Sequence, residues 1–119
     1  YYNKALKKID ELINYNTSEY QILYFCQKCD DDIVNKYIIN LKNNNKCDFI
    51  KISNDITNYE QMLLISNCDN IIIANSTFSW FGAYFSNSNY ILYPKKWFGP
   101  ANKDKELKDL FPENWIEII

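Results

Sequence analysis

The sequence predicts an α/β fold in which a parallel sheet is flanked by helices on both faces. Three observations predict it. Short runs rich in aliphatic and aromatic residues, "QILYF", "DFIKI", "NIIIA" and "YILYP", recur along the chain, and segments with apolar residues at helical spacing separate them. The runs are nearly all apolar rather than cleanly alternating, as in strands buried on both faces. The 119 residues are 47% apolar and include 3 Trp, 10 Tyr and 7 Phe, enough bulk for one core in a single domain spanning residues 1–119.

Residues 2–14 place Ala5, Leu6, Ile9, Leu12 and Ile13 at helical spacing, with Lys4, Lys7, Lys8, Asp10 and Glu11 around the remainder, which predicts a helix. Residues 20–25 suit a buried strand. Residues 30–43 open on Asp30, Asp31 and Asp32, which favour a helix start through its dipole, and then carry Ile33, Val34, Tyr37, Ile38 and Leu41 on one side. "NNNKC" reads as a turn and "DFIKI" as the second strand. Asn58 is placed to cap a third helix over "YEQMLLISNC", and "NIIIA" follows as the third strand. A fourth helix is expected from about residue 76 to 85, then a fourth strand at "YILYP" ended by Pro94. Residues 95–119 read as a tail wrapped over the sheet, with a short helical patch near 105–110.

Charge narrows the possible functions. A net charge of −2 gives no electrostatic reason to expect nucleic acid or an anionic membrane as a partner. All 13 basic residues are lysines, so the two side chains most used for phosphate clamping and proton transfer, Arg and His, are absent. No run approaches the roughly 20 apolar residues of a membrane span, and the N-terminus lacks a signal peptide's apolar stretch. The expected location is the cytoplasm, or peripheral association with the cytoplasmic side of a membrane. "YYNKALKKIDELI" starts without Met and in the middle of a helical pattern, so the chain reads as incomplete at its N-terminus, a piece of a longer protein.

Cys26 and Cys29 form a C-x-x-C after a strand, the spacing of a redox pair or half a zinc site. Cys47 and Cys68 form no second close pair and no His is available, so no metal is expected. Asp30, Asp31 and Asp32 oppose thiolate formation beside the pair, which favours plain reduced thiols. The sequons at Asn16-Thr17-Ser18 and Asn75-Ser76-Thr77 are read as chance matches in an Asn-rich chain.

Strands that alternate with helices make the sheet Rossmann-like, and such sheets bind ligands beyond the carboxyl ends of their strands. "IIIANSTFSWFGAYF", residues 71–85, lies at such an end. Ala74, Asn75, Ser76 and Thr77 are short, Ser76 suits an N-cap, and the unpaired N–H groups of a first helical turn attract phosphate or diphosphate. Hydroxyls of Ser76, Thr77 and Ser79 add donors. Ser79, Gly82 and Ala83 form a small-residue face for close packing on the sheet, beside a stripe filled by Phe78, Phe81 and Phe85. The residues alone leave two readings open, an anion site or an ordinary capped corner of the core.

"NCDNIIIANSTFSWFGAYFS" resembles the family-11 glycosyltransferases, the α-1,2-fucosyltransferases, whose motif runs from Cys through an apolar strand to Asn-Ser-Thr/Ser-Phe-Ser-Trp-Trp-Gly-Ala. Phe81 stands where the second Trp is usual. "YYNKALKKI" looks like the helix after the family's first motif, "QILYF" is similar to its next strand, and "YPKKWFG" with "PENWIEI" is similar to its ending. The resemblance implies the C-terminal, nucleotide-sugar-binding domain of a GT-B enzyme that transfers fucose from GDP-fucose to a galactose 2-hydroxyl with inversion. It implies no required metal or further cofactor, and a galactose-containing glycan as acceptor. It also implies Asn75, Ser76, Thr77 and Phe78 at the donor diphosphate, Gln61 and Glu60 on the guanine side, and Ser79, Trp80 and Gly82 as support.

Gln61 stands where the family has an acid. The family's His-x-Arg-Arg-Gly-Asp motif lies upstream of the residues that match Tyr1, so no catalytic residue is assigned and the chain alone is expected to be inactive. Two other readings stay open: a catalytically inactive nucleotide-sugar-binding relic, and a thiol-disulfide oxidoreductase using Cys26 and Cys29.

Overall fold

In a computed structural model, which describes residues 1–14, 20–102 and 105–119, helices and strands alternate through most of the chain. Helix α1 (Tyr2–Ile13) leads to β1 (Gln21–Tyr24), α2 (Asp31–Asn44), β2 (Asp48–Lys51) and α3 (Asn58–Ser66). Then come β3 (Asn70–Ile72), α4 (Thr77–Tyr84), β4 (Tyr90–Pro94) and a closing strand β5 (Ile116–Ile118). Every strand pair is parallel, but the strands form two sheets: β1 with β2, and β3, β4 and β5 in that order. Gln21 lies opposite Asp48, Asn70 opposite Tyr90, and Leu92 opposite Ile116.

Helices α1 and α2 cover one face, and α3 and α4 the other. On the first face Leu6 packs with Ile38, Leu41, Cys47 and Phe49, while Ala5 and Ile9 pack with Leu92 and Ile118. On the second, Ile65 and Ala83 pack with Ile71, Ile73, Ile91 and Trp115. Successive residues from β3 therefore serve opposite cores, Ile71 and Ile73 toward α3 and α4, Ile72 toward α1 and α2. That double burial is why the run carries no polar residue at its centre.

Several local expectations change. Thr57, not Asn58, caps α3. Its Oγ1 accepts from the Glu60 N–H at 3.2 Å while Glu60 Oε2 accepts from the Thr57 N–H at 2.7 Å, a reciprocal capping box that satisfies two donors at once. No helix forms over residues 105–110, where residues 108–110 make a turn; so short a patch cannot offset the cost of helix nucleation without packing. The tail does cross the sheet, through Trp97, Phe111 and Trp115, but it ends as β5 beside β4.

Gly82 meets α3 rather than the sheet: a Cβ there would lie 2.7 Å from Ile65 Cγ2. Since that small face of α4 is the buried one, the Phe stripe turns outward. Phe78, Phe81 and Phe85 are 36%, 42% and 61% exposed, and Phe81 stacks on Phe85 at 6.0 Å. The Asn16-Thr17-Ser18 sequon lies outside the described residues. Among the described residues no helix is long and apolar enough to cross a membrane.

Candidate functional site

The corner between β3 and α4 is fixed from below. Ile73 is fully buried, and its N–H extends the ladder to the Leu92 carbonyl at 2.9 Å. The chain then turns, with the Ser76 N–H on the Ala74 carbonyl at 2.8 Å. Ser76 occupies the N-cap with extended backbone, yet its side chain makes no capping hydrogen bond. The first helical bond runs from the Trp80 N–H to the Ser76 carbonyl at 3.0 Å, so the N–H groups of Thr77, Phe78 and Ser79 have no intrahelical acceptor. They converge with the positive end of the helix dipole, an arrangement that suits an anion.

Asn75 and Thr77 are exposed at this end and Ser76 is half-buried. Asn75 Nδ2 reaches the Trp97 carbonyl at 3.4 Å, tying the corner to the segment after β4. Ser79 differs from the expectation that its hydroxyl adds an outward donor. Its Oγ donates back into the corner, 3.0 Å from the carbonyls of both Ala74 and Ser76, and braces the turn. Trp80 lies behind: its Nε1–H donates to the Leu110 carbonyl at 3.0 Å, and its ring stacks on Tyr84 at 4.8 Å.

The corner borders a cleft of about 1790 Å³ between the two sheets, and Gln61, Ser76, Phe78 and Ser79 all line it. Gln61 Nε2 donates to the Ile56 carbonyl at 3.4 Å. Glu60 is not in the lining; its carboxylate accepts from Thr57, whose N–H and hydroxyl hold its pKa below the usual value. Sequence reasoning missed Asn70, which lines the same cleft with its Oδ1 buried and without a hydrogen-bond partner. The only sequence signal was a polar residue opening an apolar run.

The surroundings of Cys26, Cys47 and Cys68 disfavour the thiolate, each thiol pKa being raised chiefly by burial. All four are free thiols. Burial pushes the Cys26 thiol up from its ordinary pKa, and its hydrogen bond to Asp31 Oδ1 at 3.3 Å adds to the shift. Asp31 is itself paired with Lys51 at 2.7 Å. Cys47 sits in the α1–α2 core and Cys68 against the α3–α4 core, on opposite faces, so the four sulfurs do not converge. Among the described residues no group of three or more His, Cys, Asp or Glu is placed to hold a metal.

Comparison with known proteins agrees with the corner's motif. The family model for Glycosyl transferase family 11 matches residues 9–119. The O-antigen biosynthesis glycosyltransferase WbnK of Escherichia coli is 31% identical over 123 residues, which cover 99% of this chain and 35% of that protein. An alpha-1,2-colitosyltransferase of Escherichia coli is 30% identical over 122 residues, 99% of this chain and 38% of its own length. The chain thus spans little more than a third of the curated relatives it matches. No solved structure matches it significantly. With the family model matching nearly its whole length, the chain belongs to Glycosyl transferase family 11.

Proposed function

We propose that the chain is the C-terminal, donor-binding part of an inverting α-1,2-fucosyltransferase, which holds the diphosphate of GDP-fucose at the start of α4. Fucose passes from there to the 2-hydroxyl of a galactose-containing glycan. The observation that carries the reading is the uncapped first turn of α4, at the carboxyl end of β3 and at the edge of the large cleft. Family membership supports glycosyl transfer. The name of the colitosyl relative agrees with an α-1,2 linkage and makes colitose the second candidate for the donor sugar.

In this reading the N–H groups of Thr77, Phe78 and Ser79, with the hydroxyls of Ser76 and Thr77, bind the diphosphate and stabilise the charge that develops on departing GDP. This reading uses no metal: the helix end supplies part of the leaving group's stabilisation, and the remainder of the longer protein supplies the rest. Gln61 offers both a donor and an acceptor to the guanine edge. Acceptor contacts and the catalytic base come from the remainder of the longer protein.

The test is Ser76→Ala combined with Thr77→Ala in the full-length protein, with GDP-fucose affinity measured by calorimetry. Loss of two hydrogen bonds to a charged group, about 1.5 kcal/mol or more each, predicts weakening of at least roughly 100-fold. Unchanged affinity refutes the diphosphate site. A wild-type protein that binds GDP-fucose but transfers nothing to any galactoside is instead the inactive relic, and one that transfers only a colitosyl group fixes the other sugar.

A further inference from the structure

Strands β1 and β3 face each other across the cleft, yet among the described residues no backbone hydrogen bond joins them. Their exposed edges can be assigned by parity. Ile52 donates to the Tyr24 carbonyl, so Tyr24 and Ile22 turn their peptide groups toward β2 and Leu23 turns its own toward the cleft. Ile73 donates to the Leu92 carbonyl, so Ile72 likewise turns its peptide group toward the cleft. Two parallel edges with unpaired groups, separated by an open volume, form a slot with the chemistry of one missing strand. Asn70, whose buried Oδ1 has no hydrogen-bond partner, lines the same space.

The position of α1 says which segment fits. Tyr1 Oη donates to the carbonyls of Ile73 at 2.8 Å and Leu92 at 3.2 Å, and Lys4 Nζ donates to the Ile119 carbonyl at 2.9 Å. These contacts place the first turn of α1 at the carboxyl edge of the sheets. From there α1 spans the slot on one face, with Leu6 packed toward β2 and Ala5 and Ile9 toward β4 and β5. A parallel strand in the slot would end at that same edge, beside Tyr1, and connect through α1 to its neighbour β1.

We infer that the slot is filled by a parallel strand from the segment of the longer protein that runs directly into Tyr1, joining the two sheets into one. The handedness is consistent. Connections through α1 and α2 move outward over one face, and those through α3 and α4 move the opposite way over the other, which is the doubly wound pattern of right-handed crossovers. With the inserted strand counted first, the order becomes 3-2-1-4-5-6, the dinucleotide-fold order, and the β3–α4 corner falls at its switch point. The relatives are nearly three times longer than this chain, so the family has ample sequence to supply the strand.

The test uses the full-length protein and a nested set of N-terminal truncations ending at Tyr1, with amide hydrogen exchange as readout. Leu23 and Ile72 are expected to exchange on the order of 100-fold more slowly while the segment before Tyr1 is present, and to lose that protection when it is removed. Protection that survives truncation overturns the inference, as does fast exchange in the full-length protein. Should the truncated forms fail to fold, the full-length variant carrying Ile22→Cys and Ile72→Cys decides. One intervening strand sets these positions about 9.6 Å apart, beyond disulfide reach, so the pair stays reduced under mild oxidant. A disulfide between them shows that β1 and β3 pair directly and that no strand lies between.

Discussion

Substituting Gly82 with Ala sets two effects of opposite sign against each other. An exposed helical Gly→Ala change stabilises by about 0.8–1 kcal/mol, because Gly costs backbone entropy in a helix. Here the added Cβ would lie 2.7 Å from Ile65 Cγ2 and 3.0 Å from Ile65 Cβ. Ile65 is buried, and its β-branch is locked in one helical rotamer, so Cγ2 cannot swing aside; Cβ moves only if α3 moves. Overpacking of this kind costs about 1–3 kcal/mol. The balance predicts a net loss of about 1 kcal/mol, which lowers the thermal midpoint of the full-length protein by about 1–2 °C. Ile65→Ala alone costs about 2–5 kcal/mol. In its background the 2.7 Å contact is gone and only the 3.0 Å contact with the remaining Cβ is left, so adding Gly82→Ala costs less than it does in the wild type. A single Gly82→Ala variant that melts higher than wild type would refute the view that α3 and α4 meet through this glycine.

Three further outcomes follow from the contacts. Trp80→Phe removes the Nε1–H bond to the Leu110 carbonyl and should cost about 1–2 kcal/mol, with faster proteolysis of residues 105–115 as its signature; an unchanged cleavage rate argues against Trp80 as the tie to the tail. Thr57→Ala breaks the capping box and should cost about 1 kcal/mol at neutral pH by urea denaturation. Glu60 has a folded pKa below its unfolded one, so its share of stability is present above the unfolded pKa and is lost as pH falls through the folded value. The Thr57→Ala variant keeps the backbone N–H that the carboxylate accepts from and loses only the hydroxyl donor, so its gap from wild type should narrow modestly in acid, and a constant gap refutes the hydroxyl's bond to Glu60. Asp31→Asn takes the carboxylate away from Cys26 and frees Lys51 to favour the thiolate, so alkylation of Cys26 by iodoacetamide at mildly alkaline pH should quicken by roughly 2- to 5-fold. A slower or equal rate places the cause of the raised thiol pKa in burial alone.

The alternation of helices and strands is legible because the strands are apolar runs of the right length and α1 carries a strong apolar stripe. Strand β5 is not legible: three residues with Glu117 at the centre give no run to detect, and only the β4 edge defines them as a strand. Helix α4 misleads for a different reason. Nearly every position from Phe78 to Phe85 is apolar or small, so hydrophobicity selects no face. Size selects it instead, because α3 approaches so closely that only Gly82 and Ala83 fit between, and the phenylalanines are left outside. The helix-start character of Ser76 and Thr77 can be read from a short polar cluster after an apolar run. That Gln61 shares a cleft with them cannot, since it depends on how α3 crosses to meet α4.

Charge links the donor site to the slot. A nucleoside diphosphate brings about two negative charges, against roughly half a positive charge at a helix end. Lysine is the only cationic side chain in this chain, and among the described residues the cleft is lined by Lys28 against Asp30, Asp48, Asp55 and Asp69. The cleft as it stands is thus net acidic, and the dipole of α4 cannot offset that by itself. Positive charge from beyond the described lining would offset it. A strand in the slot would end beside Tyr1 at the carboxyl edge, which puts the loop after it next to the β3–α4 corner, on the side of the diphosphate that this chain leaves open. Donor affinity should therefore depend on the slot more than on the hydroxyls. A truncation that removes the segment before Tyr1 is expected to weaken GDP binding further than Ser76→Ala with Thr77→Ala does, when both are titrated at the same salt concentration. Equal losses would mean that the corner alone carries the affinity and that the acidic cleft is not where the anion lies.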